Sequence, residues 1–384
     1  MRRLLLLASA IVFVDTAFYA AITPVLPDYV AEHDLSKTGA GILAAAYPAG
    51  TFAGALPGGW LAARIGVRPT VLIGLGTMAV TSVAFAFAPS IAVLDAARFI
   101  QGVGGALSWA GALGWLIGEA PRERRGELIG SAMGAAIIGA LFGPVLGAAA
   151  SAWGPEPAFC AVAAAGVVLM ACAAATPARA PAPPPRLAQI AEAVRDPRVA
   201  GGMWLNCVPG LLFGAVSVLA PLRLDQLGAG AVAIAACFLA AAALEASVTR
   251  VIGRLSDRRG RVLPALLGLT LAGAAMALLP WPQTAWLLGG LVVLAAPAIG
   301  ILWAPAIAML SDGAEAHGIE QGLAFALVNL SWAVGDSVGA AGGARLAEAT
   351  GGDHAPYLLL AAMCAVTLAF LLRRGQVDAQ PLRA

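Results

Sequence analysis

The chain has 384 residues, of which 60% are hydrophobic and only 11% are charged, with a formal net charge of +2. A soluble domain would carry about 25% charged residues, so the composition predicts a protein that crosses the membrane many times. Lys37 is the only lysine, which excludes a phosphate-binding loop that requires lysine, and with it ATP hydrolysis by this chain.

The first of twelve apolar runs extends from the N-terminus to about Leu26. The others are at 39–62, 69–88, 91–118, 126–150, 157–176, 199–222, 230–253, 262–280, 284–310, 320–346 and 355–373. Each is long enough to cross a hydrocarbon core of roughly 30 Å, which takes about 20 helical residues. We therefore predict an all-α membrane protein with twelve transmembrane helices in two six-helix bundles.

The predicted bundles occupy residues 1–176 and 199–384. A cytoplasmic connector rich in proline and arginine, residues 177–198, joins them and is too polar to span a membrane. Of the 23 basic residues, eighteen fall in this connector, the other even-numbered loops and the termini. That asymmetry predicts that both termini are cytoplasmic. The acidic loop expected at 311–320 lies on the same side, but acidic residues count little in this rule.

Asp15 lies about midway along the first span, and Tyr19 lies one helical turn further on the same face. A carboxylate at this depth costs a few kcal/mol, so it should face the bundle interior or water. Asp15 is therefore a candidate proton-coupling group. The alternative is that it only caps or hydrogen-bonds a neighbouring helix.

A short charged pattern connects the second and third spans and is repeated between the eighth and ninth. The first copy contributes Gly59, Arg64, Gly66 and Arg68. The second contributes Gly253, Asp257, Arg258, Gly260 and Arg261. In each copy a small residue permits close helix contact, and a later glycine can adopt a positive φ in a tight turn. The arginines are expected to hold this gating loop at the cytoplasmic face.

Asp95 and Arg98 are three residues apart in the fourth span, so they share a helical face and could pair. Either they form a structural ion pair, or Arg98 takes part in proton coupling.

The fifth span carries the pattern G-x-x-x-G-P-x-x-G in Gly139, Gly143, Pro144 and Gly147. Proline removes a backbone donor and bends the helix, and the glycines allow a neighbouring helix to approach. A weaker copy occurs at 335–343 in the eleventh span, with Ala340 in place of the proline.

In the second half, Glu245 and Asp336 are acids deep within the eighth and eleventh spans, and we consider them further proton-coupling candidates. Pro209 and Gly210 predict a break in the seventh span. The substrate-cavity candidates are the polar and aromatic residues within spans, namely Tyr19, Tyr47, Gln101, Trp109, Asn206, Asn329 and Trp332.

Together these patterns resemble the major facilitator superfamily, in which the glycine–arginine loop connects helices 2 and 3 and again helices 8 and 9. The R-x-x-Q-G pattern at 98–102 resembles the family's helix-4 motif, whose arginine is implicated in proton coupling. The pattern at 139–147 marks antiporters in this family. Asp15 followed by P-x-x-P at 24–27 looks like helix 1 of proton-coupled multidrug and vesicular amine exporters. The chain departs from the family at Ala63, where the family has Asp.

The resemblance implies a secondary transporter, and we expect proton-coupled export of a small amphipathic compound or drug. A proton-coupled symporter or facilitator of a metabolite is the alternative, and a non-transporting membrane sensor is a third. The expected partners are a small-molecule substrate, protons and lipid, without nucleic acid, and the chain is expected to work as a monomer.

An enzyme is the least favoured class, since no nucleophile–base arrangement is recognisable. No cofactor or metal is expected, because the three histidines lie in separate loops and the five cysteines lie in apolar runs. The excess of arginine, alanine and glycine over lysine is typical of a GC-rich bacterial source, and hence of the plasma (inner) membrane.

Overall fold

The computed structural model describes residues 1–121, 124–178, 191–192, 194–259, 261–316 and 321–378. The description includes their side chains except those of 125–126, 249–250, 253–259, 321–323 and 374–378.

The described residues form thirteen long helices and no β-strand. The helices are α1 (Arg2–His33), α2 (Lys37–Ile65), α3 (Val67–Ala86), α4 (Ile91–Glu119), α5 (Arg125–Trp153), α6 (Pro155–Ala174), α7 (Pro197–Gln226), α8 (Ala231–Arg259), α9 (Val262–Leu278), α10 (Ala285–Gly300), α11 (Trp303–Ala316), α12 (Gln321–Ala349) and α13 (His354–Asp378).

Within the described residues, eleven segments are apolar and long enough to cross a membrane, with α10 and α11 counted as one segment. The remaining helix, α9, is also apolar but has only 17 residues. Eleven candidate spans and the shorter apolar helix α9, without any β-strand among the described residues, confirm the fold class predicted from the apolar runs.

The tenth span is two helices rather than the single helix predicted for 284–310. Helix α10 ends at Gly300, and α11 begins at Trp303 after a turn at Ile301 and Leu302. Pro305 has no N–H to donate to the carbonyl of Ile301, so the helical ladder is interrupted here. Helix α11 then continues to Ala316, so most of the loop predicted at 311–320 is helical.

Two other predicted limits also differ. Helix α1 passes through Pro24 and Pro27 and ends at His33, beyond the predicted end at Leu26. Helix α7 continues without interruption through Pro209, where we predicted a break.

The two bundles repeat one packing scheme. In the first, α1 packs against α5 and α2 against α4; in the second, α7 packs against α12 and α8 against α10. The bundles meet where α2 contacts α12 and where α5 contacts α8.

Glycines on α5 bring its backbone against α1. A Cβ atom added to Gly139 would lie 2.6 Å from the carbonyl oxygen of Phe13, and one on Gly143 would overlap the Cβ of Ala20. Gly147 meets α1 in the same way one turn later. We call this contact, with its counterpart between α12 and α7, a glycine seam.

In the counterpart seam, a Cβ atom on Gly335 would overlap the carbonyl oxygen of Cys207. One on Gly339 would overlap the carbonyl oxygen of Leu211. Each bundle therefore contains at least one helix pair in which glycines bring the two backbones into contact and leave no space for a side chain without a shift.

The bundles are joined at the end that carries Lys37. Leu43 of α2, Val218 and Leu222 of α7, and Ala340 and Ala344 of α12 belong to one buried cluster. At the opposite end, no described cluster joins the two bundles. One cluster, with Leu7 and Leu116, lies in the first bundle, and another, with Leu310 and Leu327, lies in the second.

Polar contacts reinforce the Lys37 end. The Lys37 ammonium lies 2.6 Å from a carboxylate oxygen of Asp353. The backbone N–H of Thr38, at the start of α2, donates to Glu348 at 2.7 Å. A carboxylate at a helix N-terminus is favourable because it satisfies free N–H groups and complements the helix dipole. We call these two contacts the Lys37 latch.

Candidate functional site

A cavity of about 170 Å³ lies between the two bundles. Its wall contains five residues selected from the sequence as cavity candidates, namely Tyr19, Tyr47, Trp109, Asn329 and Trp332. Asp15 also lines it, and the remaining lining residues are Thr16, Thr51, Gly105, Ala106 and Ala136. Among the described residues, the wall is therefore mostly aromatic and small, with a single carboxylate.

Asp15 is bound by donors from two other helices. It is only 5% exposed. One carboxylate oxygen accepts a hydrogen bond from the Tyr47 hydroxyl at 2.6 Å, and the other accepts one from the Trp109 indole N–H at 2.7 Å. The two readings of Asp15 left open by the sequence are therefore compatible in space, since it hydrogen-bonds neighbouring helices and also borders the cavity.

Gly105 makes room for this arrangement, and the sequence reasoning did not select it. A Cβ atom there would lie 2.5 Å from the Tyr47 hydroxyl oxygen and 2.6 Å from a carboxylate oxygen of Asp15. The available signal was a run of glycines inside a span, at Gly102, Gly104 and Gly105, without any turn to require them.

Tyr19 connects the cavity wall to the second acid. Its hydroxyl donates to a carboxylate oxygen of Asp336 at 2.6 Å. Asp336 is 2% exposed, and its other oxygen has no hydrogen-bond partner. The Tyr19 ring lies 5.1 Å from that of Tyr47 and 5.4 Å from that of Trp332. Residues of α1, α2 and α12 thus meet around one tyrosine.

Arg98 is buried behind this group. Its guanidinium donates to the backbone carbonyl oxygens of Phe18 and Tyr19 at 3.5 and 3.3 Å, and to Gln101 at 3.3 Å. It also lies 5.1 Å from the centre of the Tyr47 ring. Arg98, the one fully buried cation among the side chains that the structure describes, is thus held by backbone dipoles and aromatic faces.

The proposed ion pair of Asp95 and Arg98 is wrong. Both residues are described, yet no ion pair joins them, and one oxygen of Asp95 is buried without a hydrogen-bond partner. The reason is that Arg98 reaches across to the backbone of α1 rather than along α4.

Two cavity candidates lie outside the cavity wall. Gln101 donates to Ser82 at 3.1 Å and accepts from Arg98. Asn206 donates at 2.8 Å to the carbonyl oxygen of Val328 and to the hydroxyl of Ser331, tying α7 to α12. Both amides are fully buried. The partners of Gln101 are Ser82 on α3 and Arg98 on its own helix, whereas the partners of the Asn206 amide nitrogen lie on α12.

Glu245 lies apart from the cavity, at the break in the tenth span. A Cβ atom on Gly300 would lie 2.6 Å from the Glu245 side chain, and Trp303 is its hydrogen-bonding neighbour. Glu245 is partly exposed, and it is absent from the cavity wall.

The first copy of the gating loop forms a tight turn. Gly66 adopts φ 99°, a region that favours glycine, and its carbonyl accepts from the Thr70 hydroxyl at 2.9 Å. Arg64 covers the Trp60 ring at 4.9 Å, and Arg68 is exposed.

The close helix contact that we predicted for Gly59 is made by Gly58 instead. A Cβ atom on Gly59 would meet nothing within 4 Å, whereas one on Gly58 would lie 3.3 Å from the carbonyl oxygen of Ala106 on α4. The glycine that faces α4 is therefore Gly58.

Most side chains of the second copy of the gating loop lie outside the part of the chain that the structure describes. Gly260 is not among the described residues, and the description does not include Gly253, Asp257 and Arg258 beyond their helical backbone. Arg261 is described, and it pairs with Asp312 of α11.

Within the described residues, no group of three histidine, cysteine, aspartate or glutamate side chains could hold a metal ion.

Comparison with known proteins identifies the family. The family model for the Major Facilitator Superfamily matches residues 7–335. The solved xylose transporter XylE from E. coli superimposes with a TM-score of 0.76 over 97% of both chains, at 15% sequence identity. At that identity, the likeness concerns the fold alone.

Curated relatives match in part. The Synaptic vesicular amine transporter of Homo sapiens is 25% identical over 307 residues, which are 76% of this chain and 58% of that protein. The MFS-type transporter ppzB of Metarhizium majus is 30% identical over 146 residues, 35% of this chain and 31% of that protein. The chain thus matches less than two thirds of the length of either relative.

Proposed function

The chain belongs to the major facilitator superfamily of membrane transporters, and on this premise we propose that it is a proton-coupled antiporter. The proposed cargo is a small amphipathic organic compound that carries a positive charge. The observation that carries the proposal is the cavity between the bundles, in whose wall Asp15 is the single carboxylate.

The wall suits an organic cation. Rings of Tyr19, Tyr47, Trp109 and Trp332 border the cavity beside the carboxylate of Asp15. Aromatic faces attract cations, and a desolvated carboxylate supplies the opposite charge. A neutral sugar would instead require many free amide and hydroxyl groups. The four hydroxyl groups of this wall already donate within the protein, those of the tyrosines to carboxylates and those of the threonines to backbone carbonyl oxygens. The name of the human relative, a vesicular amine transporter, is consistent with such a cargo.

Exchange follows if a proton and a cation compete for the same acid. When Asp15 is protonated, it has no charge to offer a cationic group; when the cation is bound, the proton must have left. Binding sites of this kind at the interface of two bundles are exposed alternately by rocking of one bundle against the other. Such competition links efflux of the cargo to entry of protons.

The direction of transport depends on the orientation of the chain. Both termini and the arginine-rich loops are proposed to face the cytoplasm of a plasma membrane. The Lys37 latch then closes the outer side, and the separate clusters at the other end correspond to an inward-facing form. One chain contains both bundles and the whole cavity wall, which supports function as a monomer.

The proposal is tested in proteoliposomes that contain the full chain and have an acidic lumen. We expect them to accumulate N-methyl-4-phenylpyridinium, a small aromatic cation that stays charged at every pH. Asp15→Asn should abolish this uptake, because the amide cannot exchange a proton. The matched control is Asp28→Asn, on the same helix, where the carboxylate is exposed and bound by Ser151 at 2.6 Å.

Uphill uptake by Asp15→Asn would contradict the role of Asp15. Uptake that requires an acidic exterior instead of an acidic lumen would show symport, which is the alternative mechanism.

A further inference from the structure

We propose that Arg98 limits the charge of the exchanged cargo to one, so that the cavity region holds either one proton or one monovalent organic cation. This inference rests on the proposed function and adds to it a coupling ratio and a charge selectivity. It follows from the set of buried charges around the cavity.

The fully buried charged side chains of the described residues are two acids and one base. Asp15, Arg98 and Asp336 are each at most 5% exposed. Removing charges from water is costly unless they are compensated nearby. With both acids ionised, the set has a net charge of −1, so one acid is compensated by Arg98 and the other is not.

Arg98 is linked to both acids through tyrosines. Its guanidinium lies 5.1 Å from the ring of Tyr47, which donates to Asp15. It also donates to the backbone of Tyr19, whose hydroxyl donates to Asp336. Arg98 is therefore the one fully buried cation of the described residues, and a tyrosine connects it to each of the two buried acids.

Arg98 cannot adjust its charge or position easily. A guanidinium stays protonated in proteins, and this one is held by two backbone carbonyl oxygens and by Gln101. Glu245 is outside the set because it is partly exposed and lies beside Gly300, at the break in the tenth span.

Two occupied forms of the set are neutral. One has a single proton on the acid pair, and the other has no proton and one monovalent cation in the cavity. A bound dication, or a cation together with a proton, would leave a net charge of +1 in a dry region. Each arriving monocation therefore releases one proton to the solution that it came from, and the exchange moves no net charge across the membrane.

Calorimetry on the purified full chain tests the charge limit directly. Titrations in buffers of different ionisation enthalpy give both the affinity and the number of protons released. The probes are N-methyl-4-phenylpyridinium and N,N′-dimethyl-4,4′-bipyridinium, two flat molecules of nearly equal size that carry one and two charges. We expect one proton per bound monocation at the pH of maximal release, and binding of the dication weaker by about tenfold or more. Equal affinities, or release of two protons by the monocation, would overturn the proposal.

The variant Arg98→Gln distinguishes an effect of the Arg98 charge from an effect on the structure. Without the fixed cation, the neutral empty form holds two protons, so the dication can displace both. The preference for the monocation should shift toward the dication by about tenfold or more, whereas loss of a purely structural arginine would weaken both probes alike. Parallel weakening would count against the proposal.

If Arg98→Gln does not fold, Asp336→Asn tests the same balance. Its remaining charges, Asp15 and Arg98, cancel, so a monocation should bind more weakly and release no proton. Undiminished proton release would overturn the proposal.

Proteoliposomes distinguish failure of this inference from failure of the proposed function. A ratio of one proton to one cation predicts roughly tenfold accumulation per pH unit, independent of a potassium diffusion potential set with valinomycin. Accumulation of about a hundredfold per pH unit, with sensitivity to voltage, would indicate two protons per cation. That result would agree with the proposed export but contradict the charge limit. Binding of the monocation with release of one proton, but without its accumulation in the proteoliposomes, would support the charge limit and contradict the proposed export.

Discussion

The hydroxyl group of Tyr19 on α1 lies 2.6 Å from a carboxylate oxygen of Asp336 on α12, 317 positions further along the chain. This hydrogen bond joins the two bundles beside the cavity, away from the Lys37 latch. Any motion that separates the bundles at this level must break it. The contact therefore links the state of one buried acid to the arrangement of the two bundles.

Tyr19→Phe removes the hydroxyl and keeps the ring. Asp336 then loses its hydrogen-bond donor in a buried position, which costs about 1–3 kcal/mol. We expect the population with the bundles joined here to fall by roughly 5- to 150-fold relative to the separated form. Distances between spin labels placed on α1 and α12 at the Lys37 end should report the change.

The matched control is Tyr357→Phe, because the Tyr357 hydroxyl is buried without a hydrogen-bond partner. Its removal should leave the distances unchanged. If Tyr19→Phe gives the same distribution as the control, the bridge has no influence on the bundles.

Lys37→Met combined with Glu348→Gln removes the Lys37 latch. The partly exposed pair of Lys37 and Asp353 is worth about 0.2–1 kcal/mol, and loss of the Glu348 contact acts in the same direction, so the outward-open population should rise several-fold. Accessibility of an introduced cysteine in the cavity to a reagent that cannot cross the membrane measures this shift.

Arg124→Gln is the comparison for the latch variant, since Arg124 forms an exposed ion pair with Glu127 of the same helix. That pair joins no second helix, so its loss should not alter accessibility. A similar rise in both variants would show a general charge effect rather than a latch.

Gly143→Ala should destabilise the first bundle. The added methyl group would overlap Ala20 in the seam between α1 and α5, and overpacking of this kind costs about 1–3 kcal/mol. A lower thermal unfolding temperature in detergent is the expected result. Gly134→Ala, on the same helix and with nothing within 4 Å of the new atom, should leave it unchanged. Equal stability of the two variants would mean that the seam relaxes without strain.

Gly105→Ala should impair proton-driven uptake more than stability. The methyl group would approach both the Tyr47 hydroxyl and Asp15, so their hydrogen bond must lengthen or rearrange, at a cost of about 1 kcal/mol or more. We expect at least a roughly fivefold loss of uptake. Gly114→Ala, whose new atom would lie 3.6 Å from Val67, is the control on the same helix. Normal uptake by Gly105→Ala would show that transport does not depend on the exact hydrogen-bond geometry at Asp15.

Much of the architecture follows from the sequence because apolar length is a local property. The spans and the positive φ of Gly66 could be predicted from residues close in the chain. Five of the seven cavity candidates line the cavity, and the polar ones could be selected from the sequence because a polar side chain deep in a span is expected to face protein or water. Local patterns cannot determine which partner each one meets. Asp15 and Trp109 are 94 positions apart, and their contact depends on the register between α1 and α4.

The errors have related causes. By hydropathy, residues 284–310 form one apolar run and were predicted as one helix. The missing N–H of Pro305 divides this segment into two helices. Helical spacing suggested that Asp95 and Arg98 would pair, but the nearby carbonyl oxygens of α1 offered Arg98 better partners. Pro209 lies in a helix that stays continuous because α12 packs closely along it. In each case, tertiary packing decided what a local pattern left open.

The two glycine seams have a consequence for how such a chain can diversify over evolutionary time. At Gly139, Gly143, Gly335 and Gly339 an added side chain would clash with the facing helix, so substitution at these positions is disfavoured. The aromatic residues of the cavity wall do not have this restriction, because their rings border open space. A lineage can therefore acquire new cargo by replacing a few rings, while the moving frame inherited from its ancestors stays the same.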